Sequence, residues 1–437
     1  MLGAEAQDLI GGQLQAQNVL LVILDDVGVD KVAAYGEHPL PPSTPHMDAL
    51  AARGVLFRTA WANPFCSPTR ATLMTGRFGF RTGIGAVISP IGTLPGLSLS
   101  EFSLPEAMQQ AGGHRTALLG KWHLGGNLDG DGHARNTGFD FFAGSAGNLG
   151  ATDAPESYYA WEKITGATPG VSTKYATTDT VDDAVRLFRY WSATPWFVVV
   201  SFNSAHKPYH RPPPHLHSET LGGDPEQFPI AHHRAMVESM DAELGRLLAG
   251  IDAGILAQTH VIVVGDNGTQ NDTTEAPFVP GHGKGTLFEG GLRVPLIVAG
   301  PAVAQPGSEC TALVQTTDLF DTCLELGTSL SVLPADPAFP RDSISLRPYL
   351  DDPGRASLRK SIFGERFSPN HNPTQIRRAI RGPRFKLTRN EVTGIERLYD
   401  LLADPFEGQN LMLQPLNSVQ RQAYLRLKQA LIDLLQS

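Results

Sequence analysis

Cysteine is scarce in this chain of 437 residues, which contains only Cys66, Cys310 and Cys323. Three scattered cysteines are too few for a disulfide framework or a zinc ribbon, and at most one pair could form a bridge. Long apolar runs are also missing, since no segment approaches the ~18 consecutive apolar residues of a membrane-spanning helix. The sequence therefore predicts neither a disulfide-stabilised fold nor a transmembrane span.

Positive charge is in deficit as well. The net charge is -9 and no basic run occurs, which argues against nucleic-acid and anionic-membrane partners but leaves small anionic substrates open. The first 17 residues lack the basic and apolar regions of a signal peptide. A cytoplasmic protein and an exported protein whose leader has been removed both fit, and the sequence gives no indication of oligomeric state.

Continuous apolar runs of strand length recur along the first 300 residues. Their β-branched composition is typical of strands buried on both faces of a parallel sheet. The four clearest runs are Asn18–Leu24, Trp196–Phe202, His260–Val264 and Val294–Gly300.

Helix signals lie between these strands. Thr44 and Pro45 predict a helix start, Ser103 and Glu106 predict a capping box, and Gly112 predicts the end of that second helix. Residues 179–191 and 230–248 read as two more helices. Strands that alternate with helices predict an α/β fold with a large, mostly parallel sheet sandwiched by helices.

The pattern changes after about Pro353. Short mixed runs separated by turn residues predict a small antiparallel sheet, followed by a closing helix from about Ser418 to Leu435. We therefore expect a large catalytic domain over residues 1–355 and a small α+β subdomain over residues 356–437.

Acidic and amide side chains follow two of the apolar strands. Asp25 and Asp26 come directly after the first strand, and Asp266 and Asn267 come after the third. Such residues also serve as ordinary turn formers. In an open parallel sheet, however, ligands bind at the carboxyl ends of the strands, and carboxylates gathered there repel one another unless a cation lies between them. Oxygen ligands favour Ca²⁺ or Mg²⁺ over zinc.

Cys66 lies at the start of a predicted helix in which Ser67 can cap, Pro68 suits the first turn and Gly76 the end. Unpaired N–H groups at a helix start favour an anion, and Arg70 adds positive charge one turn later. Only three residues separate Cys66 from Arg70, a shorter spacing than cysteine phosphatases use. A buried structural cysteine remains the alternative, although it does not explain the arginine.

Basic residues follow other strands and glycine-rich loops. Lys121, His123, His206 and Lys284 are the clearest candidates for the walls of an anion pocket. Neither lysine lies in a Walker motif. The histidines at positions 210, 215 and 217 do not form a zinc motif, because Pro208 prevents a helix there.

Eight motifs together resemble the formylglycine-dependent sulfatases of the alkaline-phosphatase-like superfamily. They are LDDVG, TPHMDALAARGVLFRTAW, CSPTRATLMTGR, GKWHLG, SAHKP, DNG, GHGKGTLFEGGLRVPLIVAGP and LYDLLADPFEGQNL. They occur in family order and span nearly the whole chain. One departure is His46, which stands where the family commonly has asparagine and touches no predicted site residue.

The resemblance implies a sulfuric ester hydrolase. A separate maturation enzyme would oxidise Cys66 to formylglycine, whose hydrated aldehyde attacks the sulfur of a small sulfated substrate and releases the alcohol or phenol. A phosphonate monoester or phosphodiester hydrolase of the same superfamily, or a non-catalytic anion-binding relative, are the alternatives.

The resemblance also assigns roles by position. The metal ligands are Asp25, Asp26, Asp266, Asn267 and the formylglycine oxygen from Cys66; Arg70 and Lys121 hold the hydrated nucleophile; His123 is the base; and His206 and Lys284, with Lys121, contact the sulfate.

Specificity residues are expected in three loops, near Phe78–Pro95, Gly144–Lys174 and His210–Phe228. Tyr158, Tyr159 and Trp161 either line a sugar or aryl pocket there or serve in ordinary packing. No motif in these loops identifies the substrate.

Overall fold

A computed structural model describes residues 16–89, 94–126, 129–150, 155–328 and 340–437. The strands are β1 Asn18–Leu24, β2 Gly54–Phe57, β3 Ala60–Trp61, β4 Arg115–Gly120, β5 Phe141–Gly144, β6 Trp161–Thr165, β7 Thr168–Ser172, β8 Trp196–Ser201, β9 Thr259–Gly265, β10 Leu296–Ala299, β11 Ser308–Cys310, β12 Val314–Gln315, β13 Ile362–Ser368, β14 Gln375–Arg381, β15 Phe385–Asn390 and β16 Glu396–Asp400. The helices are α1 Pro45–Ala52, α2 Cys66–Thr75, α3 Gly79–Thr82, α4 Leu104–Gly112, α5 His133–Asn136, α6 Ala176–Tyr190, α7 Pro229–Ala249, α8 Ala253–Leu256, α9 Glu289–Leu292, α10 Leu319–Thr328, α11 Arg347–Asp351 and α12 Ser418–Gln436. Among the described helices, none has the length and apolarity to cross a membrane.

The large sheet has ten strands in the order β11-β2-β10-β9-β1-β8-β4-β5-β6-β7. The central strands β9, β1, β8, β4 and β5 are parallel to one another. Alternate residues of β1 face opposite sides: Leu20 and Val22 pack in a core that contains Met236 of α7, whereas Leu21 and Ile23 pack in a core with residues of α2, α4 and α10. The predicted α/β fold, with a large and mostly parallel sheet sandwiched by helices, is therefore confirmed.

The direction of β10 differs from the sequence-based prediction. Val294–Gly300 was predicted as one more parallel strand, but β10 is antiparallel to both β9 and β2. The chain leaves β9 at its carboxyl end and reaches β10 from that same edge, with only the four-residue helix α9 before it. The connection is long enough for a crossover, but its residues, all of them described, contain no helix that returns the chain to the opposite edge, as a parallel strand would require.

Helix ends were predicted to within a few residues. The capping box of Ser103 and Glu106 is present, but Gly113, with φ +63°, terminates α4 in place of Gly112. Thr44 precedes α1 as predicted, yet its hydroxyl bonds to other groups and does not cap the helix. Helix α2 begins at Cys66 itself, so Ser67 lies inside the helix.

The predicted C-terminal sheet is formed by β13 to β16, which are antiparallel in sequence order. One face packs against α12 through a cluster that includes Leu387 and Leu427. The other face contacts the larger, N-terminal part of the chain: Ala379 of β14 packs with Trp61 and Leu292. This sheet is therefore covered on both sides, and its second face lies toward the loop that carries Lys284.

Candidate active site

The functional residues lie together because parallel strands end at one edge of the sheet. The register places Leu24 of β1 beside Gly265 of β9, and Ser201 of β8 beside Ile23 and Gly120. The residues that follow these strands therefore emerge at one level. This edge brings together all the predicted site residues: Asp25, Asp26, Cys66, Arg70, Lys121, His123, His206, Asp266, Asn267 and Lys284.

The acidic residues are held close together and fully buried. Asp26 has φ +59°, a left-handed conformation that is uncommon outside glycine and clusters at functional sites. Its backbone N–H donates to Asp266 Oδ1 at 3.3 Å, and Asn267 Nδ2 donates to Asp26 Oδ1 at 2.7 Å. The turn after β1 is thereby tied directly to the turn after β9.

Each carboxylate has a cationic partner. Lys121 contacts Asp25 through its ammonium group, Lys284 Nζ lies 2.6 Å from Asp26 Oδ1, and Arg70 donates to Asp266 Oδ2 from Nε at 3.0 Å and from Nη2 at 2.8 Å. Three acids thus face three cations. A divalent ion added to this neutral set leaves a net positive site that suits an anionic substrate.

Three buried oxygens at this edge have no hydrogen-bond partner among the residues that the structure describes. They are Asp25 Oδ1, Asp26 Oδ2 and Asn267 Oδ1. A ligand atom from each of Asp25, Asp26 and His206 can also be chosen so that all lie within 4.8 Å of one another. Buried oxygens left without partners are costly, and a hard cation is the ligand that satisfies them. These residues therefore fit Ca²⁺ or Mg²⁺.

The surroundings shift the pKa values of the two adjacent aspartates in opposite directions. Burial and the neighbouring charge of Asp266 raise the pKa of Asp25 to about 7. Burial also opposes ionisation of Asp26, but Lys284, His206 and Lys121 together hold its pKa well below the usual range. Asp26 is therefore an anion at neutral pH.

Cys66 faces His123 across 3.2 Å between Sγ and Nδ1. The other ring nitrogen, Nε2, lies 3.2 Å from the carbonyl oxygen of Ile88, which can only accept a hydrogen bond. Neutral His123 therefore carries its proton on Nε2 and offers a free lone pair to position 66. Burial, aided by Lys121 and Arg70, holds the pKa of His123 well below normal, and burial raises the pKa of the Cys66 thiol.

Arg70 is fixed by more than its carboxylate. Its Nη1 donates to the carbonyl oxygen of Lys121 at 2.9 Å and to Ser201 Oγ at 2.6 Å. Sequence reasoning did not find Ser201, because a serine at the end of a strand has no motif of its own. The register of β8 beside β1 and β4 is the signal that identifies it.

His206 lies on the acidic side of the site, with Nε2 3.8 Å from Asp26 Oδ2. Its Nδ1 lies 2.8 Å from the carbonyl oxygen of Lys207, so the neutral ring is protonated at Nδ1 and Nε2 is free. Burial and Lys284 hold its pKa well below normal. His210 instead stacks on Tyr158, away from the carboxylates.

The aromatic residues of the predicted specificity loops serve mainly in packing. Tyr158 is fully buried, and its hydroxyl contacts the carbonyl oxygens of Asn203 and His206. Trp161 is buried, whereas Tyr159 is partly exposed and donates to the carbonyl of Arg211. Tyr158 therefore fixes the loop that carries His206. Parts of two predicted specificity loops, residues 90–93 and 151–154, lie outside the described residues.

Comparisons with known proteins agree with the fold and identify the family. The family model described as Sulfatase matches residues 17–329, and a second model, N-sulphoglucosamine sulphohydrolase, C-terminal, matches residues 282–436. The protein belongs to the sulfatase family, within the alkaline-phosphatase-like fold.

The chain is similar to several curated sulfatases. It is 30% identical over 375 residues to N-acetylgalactosamine-6-sulfatase of Homo sapiens, covering 78% of this chain and 66% of that protein. The rat protein of the same name is also 30% identical, with 73% and 63% covered. Human arylsulfatase A is 29% identical over 450 residues, with 90% and 83% covered. The chain thus spans just under two thirds of the N-acetylgalactosamine-6-sulfatases that it matches.

Solved structures share the fold. One, in complex with its substrate D-glucosamine-2-N,6-O-disulfate, superposes with a TM-score of 0.75 at 20% identity over 96% of this chain and 97% of that one. A sulfatase from Pseudoalteromonas sp. superposes with a TM-score of 0.74 at 23% identity over 92% and 87%.

Proposed function

We propose that the protein hydrolyses sulfate esters with a formylglycine made from Cys66 by a separate maturation enzyme. The observation that carries this proposal is the position of Cys66 at the start of α2, 3.2 Å from the free Nδ1 of His123. Three buried oxygens that lack a hydrogen-bond partner within the described part of the chain lie at the same sheet edge. The related sulfatases named above support this activity over the phosphonate and phosphodiester alternatives.

The cation would be held by Asp25, Asp26, Asp266, Asn267 and the oxygen that replaces sulfur at position 66. We propose Ca²⁺, with Mg²⁺ as the alternative. When bound, such an ion lowers the pKa of a coordinated hydroxyl and offsets charge on the sulfate oxygens.

The cationic side chains bind and orient the sulfate. Lys121 and Lys284 supply fixed positive charge, and Arg70 holds the turn after β4 through the Lys121 carbonyl. Although burial opposes its charge, the Asp26 carboxylate raises the pKa of Lys284, so this residue contributes charge and does not release a proton. Preorganised charges of this kind supply a large share of catalysis in many enzymes.

Proton transfer falls to the two histidines. His123 Nδ1 faces position 66 and accepts the hydroxyl proton there, which expels sulfate and restores the aldehyde. His206 Nε2 is free of other hydrogen bonds apart from its approach to Asp26. His206 can protonate the departing alcohol oxygen from Nε2 only as the imidazolium, a form that the negative charge of a bound sulfate ester favours. Because Lys284 keeps its proton, we assign this transfer to the imidazolium form of His206.

The natural substrate is proposed to be a sulfated saccharide. The names of the related N-acetylgalactosamine-6-sulfatases and of the second family model support a sugar. The titled substrate of one structural neighbour is a disulfated glucosamine.

The test uses protein whose conversion at Cys66 has been verified by intact mass. We expect hydrolysis of 4-nitrophenyl sulfate, loss of that activity on treatment with EDTA, and recovery on return of Ca²⁺. Cys66→Ala should be inactive. Full activity of Cys66→Ala, or indifference to EDTA, would show that the mechanism is wrong. Faster hydrolysis of bis(4-nitrophenyl) phosphate or of a 4-nitrophenyl phosphonate monoester would favour the phosphodiester or phosphonate monoester alternative.

A further inference from the structure

A cavity of about 220 Å³ lies between the C-terminal sheet and the loop that follows Lys284. Its walls include Gly285, Thr286, Phe288, Arg366, Arg377 and Arg397. A fourth arginine of the wall, Arg389, pairs with Glu391 and Glu396. We call Arg366, Arg377 and Arg397 the arginine pocket. None of them belongs to the sites assigned above.

The arginine pocket is created by strand register. Arg366 of β13 lies directly opposite Arg377 of β14, and Arg397 of β16 lies opposite Thr388 of β15. Arg377 is two residues from Ala379, so it shares the sheet face that packs against Trp61. The pocket therefore opens on the face directed toward the catalytic residues.

The positively charged residues on this face of the sheet fall into two groups, those with a carboxylate partner and those without one among the described residues. Near the centre, Arg381 and Lys386 pair with Glu289 at 2.5 and 3.2 Å, and Lys386 also pairs with Glu407 at 2.8 Å. No ion pair to a carboxylate is formed by any residue of the arginine pocket within the described ranges of the chain. The cations that dock the sheet therefore have acidic partners, as does Arg389 in the cavity wall, whereas Arg366, Arg377 and Arg397 form no ion pair with a described residue.

Leaving these arginines uncompensated has a cost. Like charges directly opposite one another in a sheet are destabilising. Burial and the nearby charge of Arg377 lower the pKa of Arg366. Exposed arginines are common on proteins, but an opposed pair that lines a cavity with a third arginine is the arrangement expected where an anion binds.

The arginine pocket adjoins the candidate active site. Gly285 directly follows Lys284, and its carbonyl oxygen accepts a hydrogen bond from Arg366 Nη1. The guanidinium carbon of Arg366 lies 5.1 Å from the ring centroid of Phe65, the residue before Cys66. A Cβ on Gly285, where φ is +81°, would meet that ring at 3.0 Å. Arg366 in the cavity wall therefore directly contacts Phe65 and Gly285, which are the neighbours of Cys66 and Lys284 in the sequence.

We propose that the arginine pocket binds a second anionic group of the same substrate, a sulfate or a carboxylate, while the sulfate to be cleaved lies at position 66. This inference rests on the proposed sulfatase function and narrows its substrate to a saccharide with at least two anionic groups. The fork of a guanidinium group binds either anion through two parallel hydrogen bonds. The arginines act as specificity residues and take no part in the chemical step.

The first test compares the kinetics of Arg377→Gln and Arg397→Gln with those of the parent enzyme. Both arginines are exposed, so we expect the variants to fold. Arg426→Gln is the matched control, because Arg426 is exposed on α12 at the opposite face of the sheet. The substrates are D-glucosamine-2-N,6-O-disulfate, its 6-O-monosulfate and a 6-O-sulfated disaccharide that contains a uronate.

We expect each pocket variant to raise KM about tenfold for a substrate that uses the pocket, as the loss of one charge-assisted hydrogen bond implies. The kcat value should be retained, and kcat/KM for 4-nitrophenyl sulfate should change less than twofold. An effect confined to the disulfate assigns the pocket to sulfate, and an effect confined to the uronate substrate assigns it to carboxylate. Equal KM values for parent and pocket variants on every saccharide would overturn the proposal.

A binding measurement keeps this proposal separate from the proposed function. Calorimetric titration of Cys66→Ala protein with the two dianionic saccharides, with and without Arg377→Gln, needs no turnover. If no sulfate ester is hydrolysed but binding weakens in Arg377→Gln, the sulfatase proposal fails and the pocket stands. If hydrolysis proceeds and neither binding nor KM depends on Arg377 and Arg397, the pocket proposal fails alone.

Discussion

Replacement of Arg70 by methionine should destabilise the fold mainly through Asp266. The guanidinium group is 2% exposed and makes two hydrogen bonds to Asp266, one to the Lys121 carbonyl and one to Ser201. Methionine fills most of the volume but leaves the Asp266 carboxylate buried without its cation. Breaking a buried ion pair from one side costs about 3–5 kcal/mol, and we expect a loss of that size in the free energy of unfolding.

Urea unfolding followed by tryptophan fluorescence measures this loss. The experiment is run in EDTA and again in Ca²⁺, because a cation that contacts Asp266 restores part of its compensation and should recover part of the lost stability. Arg70→Lys keeps the positive charge but loses the paired hydrogen bonds of the guanidinium group. Its free energy of unfolding should lie between those of the parent and Arg70→Met. Arg421→Met, an exposed change on α12, should remain within about 0.5 kcal/mol of the parent. A similarly small effect for Arg70→Met would refute the dependence of Asp266 on Arg70.

Three further predictions concern catalysis, pH and a helix cap. His123→Gln should lower kcat for 4-nitrophenyl sulfate by about 10²–10⁴-fold while intact mass still shows conversion of Cys66; an unchanged kcat would exclude His123 as the base. Burial, aided by Arg347, lowers the pKa of His260 to about 4 in the folded protein. As the pH falls, His260 is therefore protonated in the unfolded chain before it is protonated in the folded one, and the free energy of unfolding should decrease from about pH 6.5 to about pH 4. His260→Gln should flatten that part of the stability profile, and an unaltered slope would contradict the assignment. Ser103→Ala removes a capping box and should cost about 1 kcal/mol in urea unfolding, whereas no loss would mean that the cap contributes nothing to stability.

The elements that the sequence predicted well have purely local causes. The run Asn18–Leu24 is apolar and β-branched throughout, and β1 has those same bounds. Helix α12 was likewise placed to within a residue at its end, because its apolar positions repeat with helical spacing. The direction of β10 was missed, since direction depends on how the chain returns to the sheet and leaves no mark within the strand.

The candidate site also has features that the sequence could predict and features that depend on the folded structure. Asp25 and Asp266 could be predicted as neighbours, because the carboxyl ends of parallel strands meet at one edge. The protonation of His123 could not, since it follows from the position of the Ile88 carbonyl, 35 residues away along the chain. The arginine pocket was missed because Arg377 and Arg397 come together only through the pairing of β14, β15 and β16.

Glu289 fixes the C-terminal sheet to the rest of the protein. It lies five residues after Lys284 and holds Arg381 and Lys386 of the C-terminal sheet in a buried network. These ion pairs fix the C-terminal sheet, whose arginines we propose bind the rest of the substrate, against the part of the chain that carries Cys66 and Lys284. As long as Glu289 and its partners are kept, the arginines at the rim of the sheet are free to change during evolution. New substrate preferences can then arise without disturbing Cys66 or the residues that we propose hold the cation.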